Sequence, residues 1–140
     1  MKEIHIAIAA DSNYLIPVTV VLQSIFDNSR KSTISFYLLY MTGTMEQEKL
    51  EFLSAFTTKH RGKFIPLEIN PDQLADFPET RHGKATLLRL CLPTVLPDLD
   101  KILYLDGDVI VNDDLTELYS TDITGYYLAA AKDSATAYDI

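Results

Sequence analysis

Short apolar runs alternate along this chain with segments of helical periodicity, and that alternation constrains the fold more than any other feature. Residues 4–10 (Ile-His-Ile-Ala-Ile-Ala-Ala) are apolar and partly β-branched, as a buried strand requires. Asp11-Ser12-Asn13 follows as a turn and cap signal. Val18, Val21, Leu22, Ile25 and Phe26 then recur on one face of a helix whose first turn tolerates Pro17. A second strand is predicted over 33–41. Thr44 and Gln47 read as a capping box that opens a second helix, with Met45, Phe52, Leu53 and Phe56 on its apolar stripe. Residues 63–69 read as a third strand, and Pro66 inside it, lacking an amide hydrogen, points to an edge position or a bulge. After a loop over 70–83 comes a helix over 84–92, ended by Pro93. A fourth strand over 101–105, a short helix over 115–119 capped by Asp113 or Asp114, and a last strand over 126–131 complete the order. Such alternation implies an α/β fold, a mostly parallel sheet with helices on both faces.

No internal repeat, low-complexity stretch or linker divides the chain, and its 140 residues match one ordinary domain, so a single domain over 1–140 is expected. Twelve basic against twenty acidic side chains leave a net charge of −8. That balance argues against a nucleic-acid partner, whose backbone is bound by clustered Lys and Arg. It also sets an unfavourable average field for any phosphorylated ligand, which a local cation or a bound metal must offset. The single cysteine, Cys91, excludes an intrachain disulfide and a cysteine-rich zinc site. No apolar run approaches the length of a membrane span. The opening residues carry Lys2, Glu3 and His5 before five straight apolar positions, too weak for a signal peptide, so a cytoplasmic chain is expected.

In open α/β sheets ligands sit outside the carboxyl ends of the strands. Two predicted strand ends are acidic, at Asp11-Ser12-Asn13 and at Asp106-Gly107-Asp108. The second is the sharper signal. In an extended segment residues i and i+2 point to one side, so both carboxylates would face one point, and Gly107 lets a ligand approach the backbone. Two like charges so placed repel unless a cation joins them, and Mn²⁺ or Mg²⁺ with oxygen ligands would suit. The plain alternative is a solvated turn, against which stand the apolar runs 102–105 and 109–111 on either side. Asp113 and Asp114 read as capping and surface charge. Arg89 lies in Leu87-Leu88-Arg89-Leu90-Cys91-Leu92, a segment apolar on every other side, and needs an anion. An intramolecular salt bridge would supply one; so would a ligand phosphate or a site carboxylate. Lys84 reads as solvated, Cys91 as a small core residue, and His5, His60 and His82 as structural or exposed.

Three stretches together resemble glycosyltransferase family 8, the group containing bacterial lipopolysaccharide galactosyl- and glucosyltransferases and glycogenin. They are Ile8-Ala9-Ala10-Asp11-Ser12-Asn13-Tyr14, Thr86-Leu87-Leu88-Arg89-Leu90, and Leu103-Tyr104-Leu105-Asp106-Gly107-Asp108-Val109-Ile110-Val111, the last similar to the family's Asp-x-Asp motif. The resemblance implies a GT-A-type nucleotide-binding fold and a UDP-sugar donor, UDP-glucose or UDP-galactose, held with Mn²⁺ or Mg²⁺. The reaction implied is transfer of the hexose to a saccharide acceptor with retention of configuration. Carried over by position, Ala9, Asp11 and Asn13 would line the uridine and ribose pocket, and Arg89 would reach the sugar or the acids around it. Asp106 and Asp108 would hold the metal on the diphosphate, and Asp133 would lie near the donor sugar.

The family's catalytic domain is longer. Its remaining part supplies a histidine metal ligand, the acceptor site and a polar side chain opposite the reacting carbon. The expectation is therefore a donor-binding portion, incomplete at the C-terminus, whose uncovered face would either pair with a second copy or leave the chain marginally stable at low concentration. In the longer enzyme a peripheral position at the inner face of a membrane is implied. Two alternatives stand beside this reading: a non-catalytic donor-binding fragment, and a haloacid-dehalogenase-like phosphatase with Asp106 as nucleophile and Asp108 as general acid. Against the phosphatase, Lys132 is the only lysine after Asp108.

Overall fold

The computed structural model describes residues 2–75, 77 and 84–132. Strand β1 (Lys2–Ala9) turns Ile4, Ile6 and Ile8 to one side of the sheet and Ala7 to the other, all fully buried. Strand β2 (Ser32–Met41) lies beside it, and every residue from 34 to 40 is buried, as a strand covered on both faces requires. Strand β3 (Lys63–Ile69) and the two-residue strand β4 (Leu103–Tyr104) complete a four-stranded sheet in the order β3-β2-β1-β4, with all pairings parallel.

Helices α1 (Leu15–Asn28) and α2 (Gln47–Lys59) cover one face. Val18, Val21, Leu22, Ile25 and Leu53 pack there on Ile4, Ile6, Ile8, Phe36 and Leu38. The other face is covered by 3-10 helices over Pro71–Leu74 and Lys84–Cys91 and by the short α3 (Leu92–Val95), which bring Leu74, Leu88, Cys91 and Leu92 onto Ala7, Tyr37, Leu39 and Ile69. Helix α4 (Thr116–Ser120) follows β4. Burying one side chain of the Ile, Leu or Phe class contributes about 1.5–3 kcal/mol, so the central strands anchor the molecule. Among the described residues no helix is long and apolar enough to cross a membrane.

Several local expectations need correction. Thr44 and Gln47 form no capping box: the Thr44 hydroxyl donates to the Met41 carbonyl at 2.8 Å, Gln47 turns to Glu51, and Glu46, the residue that precedes α2 as its N-cap, makes no side-chain cap bond. The Glu46 amide is satisfied instead by Ser12 Oγ at 2.9 Å. Segment 84–91 winds as a 3-10 helix, whose period of three stacks Leu88 and Cys91 on one inward row. Pro93 does not end this helix; it sits in the first turn of α3, where its missing amide costs nothing. Residues 126–131 form no strand. Tyr126, Tyr127 and Leu128 are 76%, 107% and 72% exposed, so no face of a strand there would be buried.

Other expectations hold. Pro66 lies on β3, an edge strand of this sheet. Asp114 Oδ1 accepts from the Thr116 amide at 2.7 Å at the start of α4. His5 Nδ1 shares a hydrogen bond with the Tyr37 hydroxyl at 3.0 Å, and His60 stacks on Phe26 with ring centroids 4.8 Å apart, so both are structural. Cys91 is buried, and burial pushes its thiol up. His82, Gly83 and Pro78 lie outside the described residues.

Candidate functional site

Because β1 and β4 run parallel, their carboxyl ends emerge on the same edge of the sheet. Past β1, Asp11 caps a 3-10 turn (Ser12–Tyr14): its Oδ1 accepts from the Asn13 amide at 2.8 Å and its carbonyl from Tyr14 at 3.1 Å. Thr44 and Lys49 pin this turn from the side, the first accepting from the Ser12 amide at 3.0 Å and the second donating to the Ser12 carbonyl at 3.2 Å. Past β4, the Leu105 amide donates to the Ala7 carbonyl at 3.0 Å, and the chain then turns at residues 107 and 108. The two turns meet at Gly107. A Cβ there would stand 3.3 Å from Tyr14 Cδ1 and 3.5 Å from methyl groups of Ile8 and Val18.

The 84–91 helix brings Arg89 to the same edge. Its Nη2 lies 3.6 Å from Asp106 Oδ1, its Nε donates to the Thr86 carbonyl at 3.1 Å, and its guanidinium sits 4.5 Å from the centre of the Tyr104 ring. Arg89 is not the buried cation that an apolar α-helix would have made it. The 3-10 winding turns Leu88 inward and Arg89 outward, leaving 41% of its side chain exposed and 62% of that of Asp106. A pair so exposed contributes about 0–1 kcal/mol, too little to be a stability device. Of the anions open to Arg89, Asp106 is at once an intramolecular partner and a site carboxylate.

Tyr104 ties these groups together. Burial pushes its phenol up, Asp106 acts in the same direction, and Arg89 and the Ala9 backbone amide act in the other. Its place could have been read from the sequence. Ile102 and Tyr104 pack with the 84–91 side of the sheet and Leu103 and Leu105 with the α1 side, the plain alternation of a strand.

The same alternation does not extend over the two acids. β4 stops at Tyr104 and residues 107–108 form a turn, so Asp106 and Asp108 are not set on one face by strand geometry; both are exposed. Ala9 and Asp11 are half-buried and Asn13 is exposed. Among the described residues no three His, Cys, Asp or Glu side chains converge on one metal position. The donor set itself fits a hard divalent cation: two accessible carboxylates flank a buried glycine, and such an ion keeps its other positions for water and ligand oxygens. Asp133 lies outside the described residues.

A sequence profile described as glycosyl transferase family 8 matches residues 5–140. The chain belongs to glycosyltransferase family 8. A putative glycosyltransferase of Haemophilus influenzae is 32% identical to it over 95% of the chain and 40% of its own length. The lipopolysaccharide 1,2-glucosyltransferase of Escherichia coli is 29% identical over 93% of the chain and 38% of its own length. Among solved structures, the galactosyltransferase LgtC in complex with donor and acceptor sugar analogues superposes with a TM-score of 0.73 at 33% identity, covering 85% of this chain and 43% of LgtC. The glycosyltransferase GlyE of Streptococcus pneumoniae superposes with a TM-score of 0.74 at 25% identity, over 98% of this chain and 31% of GlyE. The parallel α/β fold is thus that of the GT-A-like family 8 enzymes. The chain spans about two fifths of the length of the curated relatives named here. Family membership also removes the phosphatase alternative.

Proposed function

We propose that residues 1–140 form a single nucleotide-sugar-binding domain, the donor-holding part of a retaining hexosyltransferase that moves glucose or galactose from its UDP ester to a saccharide acceptor. The observation that carries the reading is the meeting of three elements at one sheet edge: the Asp11–Tyr14 turn, the Asp106–Asp108 turn packed on it through Gly107, and Arg89 beside Asp106. A GT-A-like fold places its nucleotide at such strand ends. Both sugars remain open, since one relative is named a glucosyltransferase and LgtC a galactosyltransferase.

In this reading Ala9, Asp11 and Asn13 line the uridine and ribose pocket, and Asp106 and Asp108 would hold Mn²⁺ or Mg²⁺. The bound cation would act as a Lewis acid on the diphosphate leaving group. The chain's own residues then have separate tasks. Arg89 brings a fixed guanidinium to a site where a chain of net charge −8 must accept an anion. Asp133 would face the positive charge that grows on the sugar ring as UDP departs. The Asp11 cap keeps the turn past β1 in one conformation, so little ordering remains when the nucleoside arrives. Work of this kind on a nucleotide sugar in lipopolysaccharide-type synthesis belongs in the cytoplasm, peripheral to the membrane in the longer protein.

Calorimetry of UDP binding tests the proposal. UDP should bind at least tenfold more tightly with Mn²⁺ than with a chelator, a difference of about 1.4 kcal/mol or more. Equal affinity in both conditions would overturn the metal-assisted donor site.

A further inference from the structure

Arg89 reaches Asp106 from a long side chain on an outward row of a 3-10 helix, and two contacts besides the carboxylate restrain it: the Thr86 carbonyl at Nε and the face of Tyr104. The ion pair alone is too exposed to hold a flexible side chain, and a single hydrogen bond at Nε leaves the guanidinium free to swing. The Tyr104 ring supplies the third restraint, its centroid 4.5 Å from the guanidinium carbon, and unlike the other two it can bear on the guanidinium from its face. Tyr104 is well placed for this. Its backbone is locked in the sheet opposite Ala7, its phenol faces the Ala9 backbone amide, and its ring lies between the end of β1 and the Arg89 helix. We infer that Tyr104 is a positioning residue, whose ring holds the Arg89 guanidinium beside Asp106 so that an incoming diphosphate meets a cation already in place. This rests on the donor-site reading above and adds to it a residue that touches neither nucleotide nor sugar but acts through Arg89.

The two variants Tyr104→Phe and Tyr104→Leu separate the ring from the hydroxyl, and Arg89→Leu supplies the cycle that separates positioning from packing. In the full chain with saturating Mn²⁺, Tyr104→Phe, which keeps the ring, should retain more of the UDP affinity than Tyr104→Leu. Tyr104→Leu should bind UDP about two- to fivefold more weakly than the unmutated chain, the worth of a cation–π contact at an exposed site. In the Arg89→Leu background, Tyr104→Leu should cost nothing further, because its effect passes through the guanidinium. NMR gives a second readout free of ligand: the Arg89 Hε resonance should carry an upfield ring-current shift that persists in Tyr104→Phe and vanishes in Tyr104→Leu. UDP binding that survives Tyr104→Leu, a penalty undiminished in the Arg89→Leu background, or an Hε resonance indifferent to both variants would each overturn the inference while leaving the donor site standing. An unmutated chain that binds no UDP would overturn the donor-site reading and, with it, the role given to Tyr104.

Discussion

Gly107 stands where the site is welded to the core, so enlarging it tests both at once. A Cβ at 3.5 Å from Ile8 Cγ2 and Val18 Cγ2 would make ordinary contacts, but at 3.3 Å from Tyr14 Cδ1 it falls inside the carbon–carbon optimum of about 3.5–4.0 Å, so the Tyr14 ring must give by a few tenths of an ångström. Tyr14 is 45% exposed and yields by tilting outward. The backbone at 107 is not left-handed, so alanine fits it and restrains the unfolded chain, a gain of about 0.4–1 kcal/mol. The two effects nearly cancel, and Gly107→Ala should stay within about 1 kcal/mol of the unmutated chain. Valine differs in kind. Its γ carbons reach Ile8 and Val18, which are 0% and 1% exposed and have nowhere to go, so the cost is that of overpacking, about 1–3 kcal/mol. Relief comes from lifting the 107–108 turn, which displaces both flanking carboxylates. Urea unfolding should therefore place Gly107→Ala near the unmutated midpoint and Gly107→Val clearly below it. UDP affinity measured in Mn²⁺ should fall for valine alone. Valine tolerated without loss of stability, or a destabilised valine variant that binds UDP unchanged, would refute the packing argument.

The same contact logic at Gly62 gives a larger effect, because a Cβ there would meet Thr57 Cγ2 at 2.8 Å and the Ile34 carbonyl at 3.0 Å, and backbone cannot step aside. Gly62→Ala should cost about 1–3 kcal/mol, read as a lowered Tm with UDP affinity unchanged. At the opposite end of the sheet, the Lys63 hydrogen bond, then that of Ser35, holds the Glu3 carboxyl below its ordinary range. A carboxyl lowered in the folded state adds stability above its unfolded pKa and loses it as pH falls through the folded one. Glu3→Gln should thus flatten the acid side of the stability profile by well under about 1 kcal/mol, since the pair is largely exposed; an unchanged acid limb would contradict the assignment.

What the sequence conveyed tracks how locally each feature is determined. The β1 and β2 runs and the α1 stripe express burial directly; the missing amide of Pro66 narrows β3 to an edge position or a bulge, and the sheet order decides for the edge. Winding in the 84–92 region was less accessible. Leu88 and Cys91 fit a period of three as well as of 3.6, and the choice between them decides whether Arg89 lies inside or out. The Thr44 hydroxyl does not cap α2 because it has a nearer acceptor in its own turn, while the partner of the α2 start, Ser12, lies far away in sequence. Residues 126–131 carry strand-like side chains but have no strand to bond among the described residues, and composition cannot supply a neighbour. The site acids stood out because acidic residues ended two apolar runs. Their relation to Tyr104 and Tyr14 is tertiary and needed the fold.

The central claim is that Asp106 and Asp108 join a divalent cation to the diphosphate of a nucleotide sugar, and the most direct measurement reads this coupling from the metal side. Free Mn²⁺ can be followed by its electron paramagnetic resonance signal as the chain is titrated with and without UDP. Linkage requires UDP to tighten Mn²⁺ binding by the same factor by which Mn²⁺ tightens UDP. The account predicts equal factors of about tenfold or more, about 1.4 kcal/mol of coupling, both collapsing to unity in Asp106→Asn/Asp108→Asn. Mn²⁺ affinity indifferent to UDP, or coupling that persists after both carboxylates are neutralised, would contradict it.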